Sequence, residues 1–409
     1  MADQKHPTLP IPEPLRGAEI GSFAHDTVVR RLPTIVLRTM AENEFPASVT
    51  TSLQTLIEEI PAAPIRPLKD PEAPDREGWE TYIKPYLSMN WLEIPWFFAE
   101  FYLYRRILEA TGYFRTGDTG YLRDPYHLQK KKGLESAKDA MQSFCARNNR
   151  WVDQKNQSPE AITHMIHLAL WGNQADLSLW PVGEQGQDYS PEKDQNRERI
   201  FINHLKELVE HLHSLEQGEA RIDLMIDNAG FELVADLCLI DYLLGTDLAH
   251  AVVLHPKSYP IFVSDALIKD VDQTIGYMES QTSSACGAVG KRLRASLRNG
   301  RLTYHEDTFW TSPLALWEMP LELKTYMEQS DLVISKGDAH YRRLLGDRHW
   351  AFTIPFTKVM SYFSAPLLAL RACKSEVICD LTPGQAEALS KVDAKWMTNG
   401  QWAVIQFKP

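Results

Sequence analysis

The stretch Arg221-Ile-Asp-Leu-Met-Ile-Asp-Asn-Ala-Gly-Phe-Glu232 predicts a buried strand that is followed at once by a helix. Its apolar run is typical of a buried parallel strand and ends at Asp227 and Asn228. Gly230 permits a tight turn, and apolar residues then recur at helical spacing over Phe231–Leu244. Ligands of open α/β sheets bind beyond the carboxyl ends of strands, where the next helix N-terminus favours an anion.

Two interpretations of Asp227 and Asn228 follow from this position. Their oxygens suit a divalent cation that holds a phosphate, or they are an ordinary helix N-cap and turn residue. Two further predicted strands also end in polar side chains, at Asp265 and at Lys336 and Asp338. Because parallel strands end at one edge of a sheet, three such ends favour the metal and phosphate interpretation.

The order of predicted elements indicates an α/β protein with a helical first half. Strands and helices alternate in the second half, which predicts a parallel or mixed three-layer α/β/α sandwich at 219–409. We predict an N-terminal helical domain at 1–218, with a helical lid module at about 120–218 and one amphipathic helix at 197–215. The predicted strands lie at 222–226, 251–255, 301–305, 331–335, 352–356, 376–379 and, as an edge strand, 401–407.

Composition excludes several classes of function. The net charge of -11 and the pI near 5.7 argue against a nucleic-acid-binding surface. The five cysteines include no CxxC pair, which favours reduced thiols in the cytoplasm or the nucleus. With no apolar signal core at the N-terminus and no run of membrane-spanning length, we expect no membrane insertion. We expect a monomer or a weak dimer.

Several long motifs resemble those of the damage-control phosphatases, the family first catalogued as domain of unknown function 89. The resemblance covers nearly the whole chain and points to the eukaryotic subfamily once labelled an acidic-residue methyltransferase. The motifs that carry it are Trp96–Arg106, Trp171–Ser178, Asp227–Glu232, Val263–Asp265 and Lys336–Arg342.

This resemblance implies a Rossmann-like sandwich that hydrolyses phosphate esters of sugars and damaged metabolites with cobalt, nickel, manganese or magnesium. The implied metal ligands are Asp227, Asn228 and Asp265. The implied substrate and phosphate contacts are Glu100, Arg105, Asn173, Asp338, His340 and Lys374. From spacing alone, Glu100 and Arg105 read instead as a surface ion pair, and Lys374 as a surface residue after an apolar helix.

The Trp171–Ser178 block also implies a catalytic role for Asp176, on a turn that closes over the sheet edge. From spacing alone Asp176 is a helix cap or a turn residue. Gly172 ends the preceding helix, and the polar segment 181–194 provides freedom for such a closure.

Two positions depart from the family pattern. His340 stands where the family usually has Asn, and Ala372 replaces the Thr of the Arg-Thr-x-Lys signature. His340 still offers a hydrogen bond, with another shape and a pH-dependent charge, whereas Ala372 lacks the hydroxyl. Both changes bear on substrate range more than on reaction type.

Three hypotheses of function remain open from the sequence. A phosphatase attacks phosphorus either with water or with the Asp227 carboxylate, and we favour Asp227 because it lies at the strand tip. An S-adenosylmethionine-dependent carboxyl methyltransferase is less favoured, because its Gly-rich turn is reduced to Gly230. A scaffold without activity conflicts with the presence of Asp227, Asn228, Asp265 and Lys374.

Overall fold

The predicted central strand lies in the middle of a seven-stranded sheet. The computed structural model describes residues 6–135, 138–172, 197–216, 218–281 and 284–409. The sheet order is β1-β7-β6-β5-β2-β3-β4, and every neighbouring pair is parallel except β6 with β7. The strands are β1 (Ile200–Asn203), β2 (Arg221–Met225), β3 (Ala251–His255), β4 (Leu302–Tyr304), β5 (Leu332–Lys336), β6 (Leu367–Ala372) and β7 (Ala403–Lys408). This mixed sheet confirms the α/β class.

Helices precede the sheet and connect its strands. Their starts follow local capping rules, as at Ser158, whose hydroxyl accepts a hydrogen bond from the Ala161 amide while Pro159 occupies the first turn. The α-helices are α1 (Phe23–Asp26), α2 (Leu32–Glu42), α3 (Ala47–Glu59), α4 (Arg76–Ile83), α5 (Trp96–Thr111), α6 (His127–Glu135), α7 (Lys138–Asp153), α8 (Pro159–Trp171), α9 (Leu205–Ser214), α10 (Phe231–Gly245), α11 (Ile268–Ser280), α12 (Ala285–Arg298), α13 (Leu321–Met327), α14 (Asp338–Leu345), α15 (Phe356–Val359) and α16 (Gln385–Val392).

Two hydrophobic clusters lie on opposite faces of the sheet. Successive strand residues point to opposite faces, so Val333 belongs to one cluster and Ile334 to the other. The first cluster includes the aromatic side of α5, and the second includes α7, α8, α10 and α12. Strand β2 is hydrogen-bonded on both sides and covered on both faces, which explains its nearly continuous apolar sequence.

Several predictions of local structure were wrong. The predicted helix 197–215 contains β1, which pairs with β7, and β7 is therefore not an edge strand. The apolar segment before Lys374 is β6 rather than a helix, because a short apolar run does not distinguish the two. The predicted strands 352–356 and 376–379 are turns and irregular chain apart from the start of α15. The domain boundary at 218/219 stays a prediction. Strand β1 precedes that boundary in the chain and is nevertheless part of the sheet.

Within the part of the chain that the structure describes, no helix combines the length and the apolar character needed to cross a bilayer.

Candidate active site

The order of the parallel strands creates a switch point between β2 and β5. From β2 the chain proceeds outward through β3 and β4, and it then returns to the other side of β2 to form β5 and β6. The connections after β2 and β5 therefore diverge, and ligands of such sheets bind in the crevice between them. Asp227 follows β2 and Gly337 follows β5, so the two turns meet at this crevice.

Gly337 allows the two turns to approach each other closely. Its φ is +86°, in the region that favours glycine, and a Cβ placed on it would clash with the Asp227 carboxylate. The turn after β5 therefore lies directly against the Asp227 side chain.

The turn after β2 is joined to the connection after β3. The Ala229 amide donates to the Ser264 carbonyl at 2.7 Å, and the Ala266 amide donates to the Asp227 carbonyl at 2.8 Å. Asn228 and Asp265 form an isolated β-bridge between the same two segments. Val263 has a φ of +66°, a strained conformation for a β-branched residue of the kind that concentrates at functional sites. Asp227 and Asn228 lie at the end of β2 as predicted, whereas Asp265 is not at a strand end but in the connection after β3, which brings it back to them.

The acidic side chains of Asp227, Glu232 and Asp265 lie where these turns meet, and together they form the acidic corner of the site. The side-chain nitrogen of Asn228, Nδ2, lies 2.8 Å from both Asp227 Oδ2 and Glu232 Oε2. Burial, followed by repulsion from Glu232 and Asp265, holds the pKa of Asp227 well above its ordinary value. Burial likewise raises the pKa of Asp265 to about 6, although Lys257 opposes the shift. Positive charge at this corner would relieve the repulsion.

Two lysines lower the pKa of these carboxylates by their charge. Lys257 is 1% exposed, and its Nζ lies 3.5 Å from Asp265 Oδ2 and 2.7 Å from His340 Nε2. Burial lowers the pKa of Lys257, while Asp265 and Asp227 raise it. The Lys374 side chain is exposed, and its charge lowers the pKa of Asp227. Lys257 and Lys374 therefore supply positive charge to the same corner.

His340 is buried behind Lys257. Its Nε2 also lies 3.2 Å from the Ile226 carbonyl, next to Asp227 in the chain. Burial, and then the charge of Lys257, hold the pKa of His340 well below its ordinary value. The side chain is thus a neutral contact of Lys257, which differs from the direct substrate contact expected for it.

Asp338 organises the loop that carries Lys374. Its Oδ1 accepts hydrogen bonds from Arg371 Nε at 2.7 Å, the Lys374 amide at 3.0 Å and Ser375 Oγ at 3.1 Å. Burial alone would raise the pKa of Asp338, but Arg371, Arg342 and the Lys374 amide keep it low. These contacts orient the loop, and the expected contact of Asp338 with substrate stays a prediction.

A second charged cluster lies beneath the start of α10. Lys336 Nζ lies 3.3 Å from Glu232 Oε1 and 3.3 Å from Asp236 Oδ1, and it donates to the Ala169 carbonyl at the end of α8. Burial raises the pKa of Asp236 to about 7, although Lys336 lowers it. Lys336 thus links α8 to α10 below the site.

The helical half places two expected contacts in other ion pairs. Arg105 is fully buried, and its guanidinium donates to Asp75 Oδ2 at 2.9 Å and Asp70 Oδ2 at 3.2 Å. This arrangement does not support a phosphate contact for Arg105, nor is the residue part of a surface pair. Glu100 accepts a hydrogen bond from Arg342, and burial raises the pKa of its carboxyl. Asn173 and Asp176 lie outside the described residues.

A cavity of about 460 Å³ adjoins the turn after β2. It lies between α6, the residues Ala229 and Gly230, and the first turns of α11. Leu134, Thr274 and Tyr277 line it, together with lysines of α6 and α11. The cavity therefore borders the acidic corner through Ala229 and Gly230, the residues that directly follow Asn228.

The oxygen set fits a divalent cation. Asp265 Oδ2 is buried and lies 3.5 Å from Lys257 Nζ without a hydrogen bond, and the repulsion that raises the pKa of Asp227 is what a cation would offset. Among the described residues, no three His, Cys, Asp or Glu side chains converge as metal ligands. The candidate set is therefore two carboxylates and one amide, Asp227, Asp265 and Asn228, which suits a hard cation that keeps several waters.

Sequence reasoning missed Lys257 and the role of Glu232. Lys257 lies two residues beyond β3, at the same sheet edge as the predicted ligands. Glu232 lies within the quoted motif, four residues after Asn228 and in the first turn of α10. Both could have been found by considering every charged residue close to the end of a predicted strand, because parallel strands end at one edge of the sheet.

The fold and the site define an α/β protein with an acidic, lysine-flanked crevice at the switch point of its sheet. The damage-control phosphatase ARMT1-like domain matches residues 27–389, and the chain belongs to this family. This confirms the family predicted from the motifs.

The chain is similar over almost its full length to several proteins named damage-control phosphatase ARMT1. The protein of Danio rerio is 32% identical over 437 aligned residues that cover 97% of each chain. That of Homo sapiens is 29% identical over 440 aligned residues that cover 97% of this chain and 98% of its own. A crystal structure of a DUF89 family protein from Pyrococcus horikoshii is 15% identical, covering 92% of this chain and 95% of its own, with a TM-score of 0.45.

Proposed function

We propose that this protein is a divalent-metal-dependent phosphohydrolase that removes phosphate from small phosphate esters, with sugar phosphates and related damaged metabolites as its substrate class. The observation that carries the proposal is the set of oxygens of the buried Asp227 and Asp265 and the half-buried Asn228, beside Lys257 and Lys374 at the sheet switch point. The names of the ARMT1 relatives support the same reaction.

Asp227, Asn228 and Asp265 would hold the cation, for which cobalt, nickel, manganese and magnesium are the candidates. When bound, the cation supplies a Lewis acid that polarises a phosphoryl oxygen. Lys257 and Lys374 contribute further positive charge opposite the phosphoryl oxygens. Helices α10 and α14 both begin at this edge, where their first backbone N–H groups favour an anion.

We assign the remainder of the substrate to the cavity between α6 and α11. Its volume of about 460 Å³ lies within the range of small-molecule sites. The ring of Tyr277 and the polar side chains of Gln273 and Thr274 offer both an apolar face and hydrogen-bonding groups. Such a lining suits a polyhydroxylated carbon skeleton.

We infer that the Asp227 carboxylate attacks phosphorus. An oxygen of Asp227 forms a bond to phosphorus while the ester P–O bond breaks, and the released alkoxide takes a proton from solvent water to leave as an alcohol. Water then cleaves the acyl phosphate to regenerate the carboxylate and release phosphate. Rapid acid quenching with phosphorus-labelled substrate should leave label on the wild-type protein and none on Asp227→Asn. Direct attack by water would leave both unlabelled.

The finer features of the architecture are part of the same proposal. The order β4-β3-β2-β5-β6 and the two core clusters support a Rossmann-like three-layer sandwich. A lid carrying Asn173 and Asp176 rests on the motif resemblance. The five free, buried cysteines support a cytoplasmic or nuclear location, and we propose a monomer or weak dimer that binds no nucleic acid and no membrane.

A substrate panel tests the proposed function. Phosphate release should be measured with hexose and pentose phosphates, each with cobalt, nickel, manganese, magnesium or a chelator. We expect release with at least one metal and sugar phosphate, and none with the chelator. Asp227→Asn, which preserves side-chain size, should be inactive while retaining the wild-type circular dichroism spectrum. Failure of every substrate with every metal would overturn the proposal.

A further inference from the structure

Three of the five cysteines meet between α7, α10 and α12. The Sγ atom of Cys145 lies 3.0 Å from that of Cys286 and 3.9 Å from that of Cys238. All three thiols are buried and free. Cys145 therefore has two potential sulfur partners on two neighbouring helices.

The contact between Cys145 and Cys286 is close to bonding distance. An S–S bond is about 2.05 Å long, so the two sulfurs need to move together by only about 1 Å. Polar contacts hold the two helices at this point, because Asn149 of α7 donates to the Ala285 carbonyl at 3.0 Å. The side-chain nitrogen of Gln142, Nε2, also lies 3.4 Å from the hydroxyl oxygen of Ser284, the N-cap residue of α12.

Cys286 is the better placed of the two candidate partners. It lies in the first turn of the 14-residue helix α12, where backbone N–H groups favour a thiolate, whereas Cys238 lies in the middle of α10. Its hydrogen bond with Cys145 also lowers the pKa of Cys286, while the hydrogen bonds to Cys238 and Cys286 raise the pKa of Cys145. Cys286 is thus the attacking thiolate, and Cys145 is the resolving thiol.

We propose that Cys145 and Cys286 form a reversible disulfide that joins α7 to α12 when the protein reacts with a hydroperoxide. The Cys286 thiolate attacks the peroxide oxygen, the O–O bond breaks, and an alcohol (water from hydrogen peroxide) leaves. The Cys145 sulfur then attacks the sulfur of the Cys286 sulfenic acid, an S–S bond forms, and the sulfenic oxygen leaves as water with the Cys145 thiol proton. Two thiols are oxidised by two electrons and one O–O bond is reduced.

This inference does not depend on phosphatase activity. Because the sulfurs are buried, the oxidant reaches them during local opening of the helices, so the reaction is slower than that of an exposed thiol. The product fixes α7 against α12, beside the helix α10 that begins at the candidate active site.

Peptide mapping of the full-length protein tests the disulfide. The protein is fully reduced, freed of reductant and treated with hydrogen peroxide. Remaining thiols are then blocked with N-ethylmaleimide in denaturant, before digestion without reductant and mass spectrometry. We expect two fewer blocked thiols than the five of the reduced chain, and a linked pair of peptides containing Cys145 and Cys286. Dithiothreitol should restore all five.

Matched variants separate this pair from the alternatives. Cys286→Ser should abolish the linkage, whereas Cys373→Ser, which removes another buried thiol, should retain it. Mapping of the wild-type chain alone keeps the proposal falsifiable if a variant does not fold. Persistence of five free thiols, a linkage of Cys145 to Cys238, or oxidation of Cys286 to sulfinic acid without a linkage would each overturn it.

Discussion

Replacement of Lys257 by methionine tests the electrostatic arrangement of the site. The Lys257 side chain is 1% exposed, and its ammonium contacts Asp265 and His340. Methionine preserves an unbranched, flexible side chain of similar length but removes the charge. The substitution therefore changes the electrostatics of the acidic corner more than its packing.

The geometry sets the size of the expected effect. Two unit charges separated by about 4 Å interact with roughly 4 kcal/mol at an effective dielectric constant of 20, and Lys257 lies at 3.5 Å from Asp265. Removing one preorganised cationic donor costs about 3 to 4 kcal/mol of transition-state stabilisation, or about 100- to 1,000-fold in kcat. Loss of one partner of a buried ion pair costs about 3 to 5 kcal/mol of folding free energy.

The assay compares kcat/KM and thermal unfolding for Lys257→Met, wild type and the control Lys155→Met. Lys155 is 57% exposed and pairs with Asp247, just beyond the end of α10 that is remote from the acidic corner. We expect the large loss of kcat/KM for Lys257→Met only, measured with saturating metal. A kcat/KM within threefold of wild type for Lys257→Met would refute the role assigned to this lysine.

Three further predictions concern other parts of the chain. Lys374→Ala should lower turnover by about 100-fold while calorimetry shows nearly unchanged metal affinity, because we assign Lys374 to the phosphoryl group rather than to the metal. Unchanged turnover would show that this exposed lysine has no part in the reaction. Asp176→Asn should lower turnover beyond any loss in melting temperature, and a parallel fall of both would make Asp176 a cap. Burial would raise the pKa of Asp223, but hydrogen bonds from His255 and Arg221 hold that pKa below its ordinary value. The ionised Asp223 therefore stabilises the folded protein above the unfolded pKa of about 3.9, and this stabilisation is lost as pH falls through the folded pKa. Melting temperature should therefore fall more steeply between pH 5 and pH 3 in wild type than in Asp223→Asn, and parallel curves would contradict this.

The rule that parallel strands end at one edge of the sheet predicted the part of the site that depends on backbone topology. Asp227 and Asn228 lie at the site because β2 ends at that edge of the sheet, whereas Asp265 reaches it through the connection after β3. The sequence pattern also indicated β2, β3, β4 and β5, whose apolar runs are bounded by turn residues.

Features that depend on tertiary contacts could not be predicted in this way. The ion pair of Arg105 joins residues 30 and 35 positions apart, and nothing in the local pattern distinguishes it from a phosphate ligand. Strand β1 has only four residues, and its pairing with β7 spans about half the chain. The contact between Lys257 and His340 likewise joins the connection after β3 to helix α14, and the two residues are 83 positions apart.

The most direct test of the account is restoration of activity to protein stripped of metal. Wild type and Asp265→Asn are treated with a chelator, freed of it and supplied with increasing manganese, and phosphate release from a sugar phosphate is measured. We predict that stripped wild type is inactive and regains full activity, whereas Asp265→Asn does not regain it at concentrations that saturate wild type. Full activity of the stripped wild type, or equal restoration of the variant, would contradict the account.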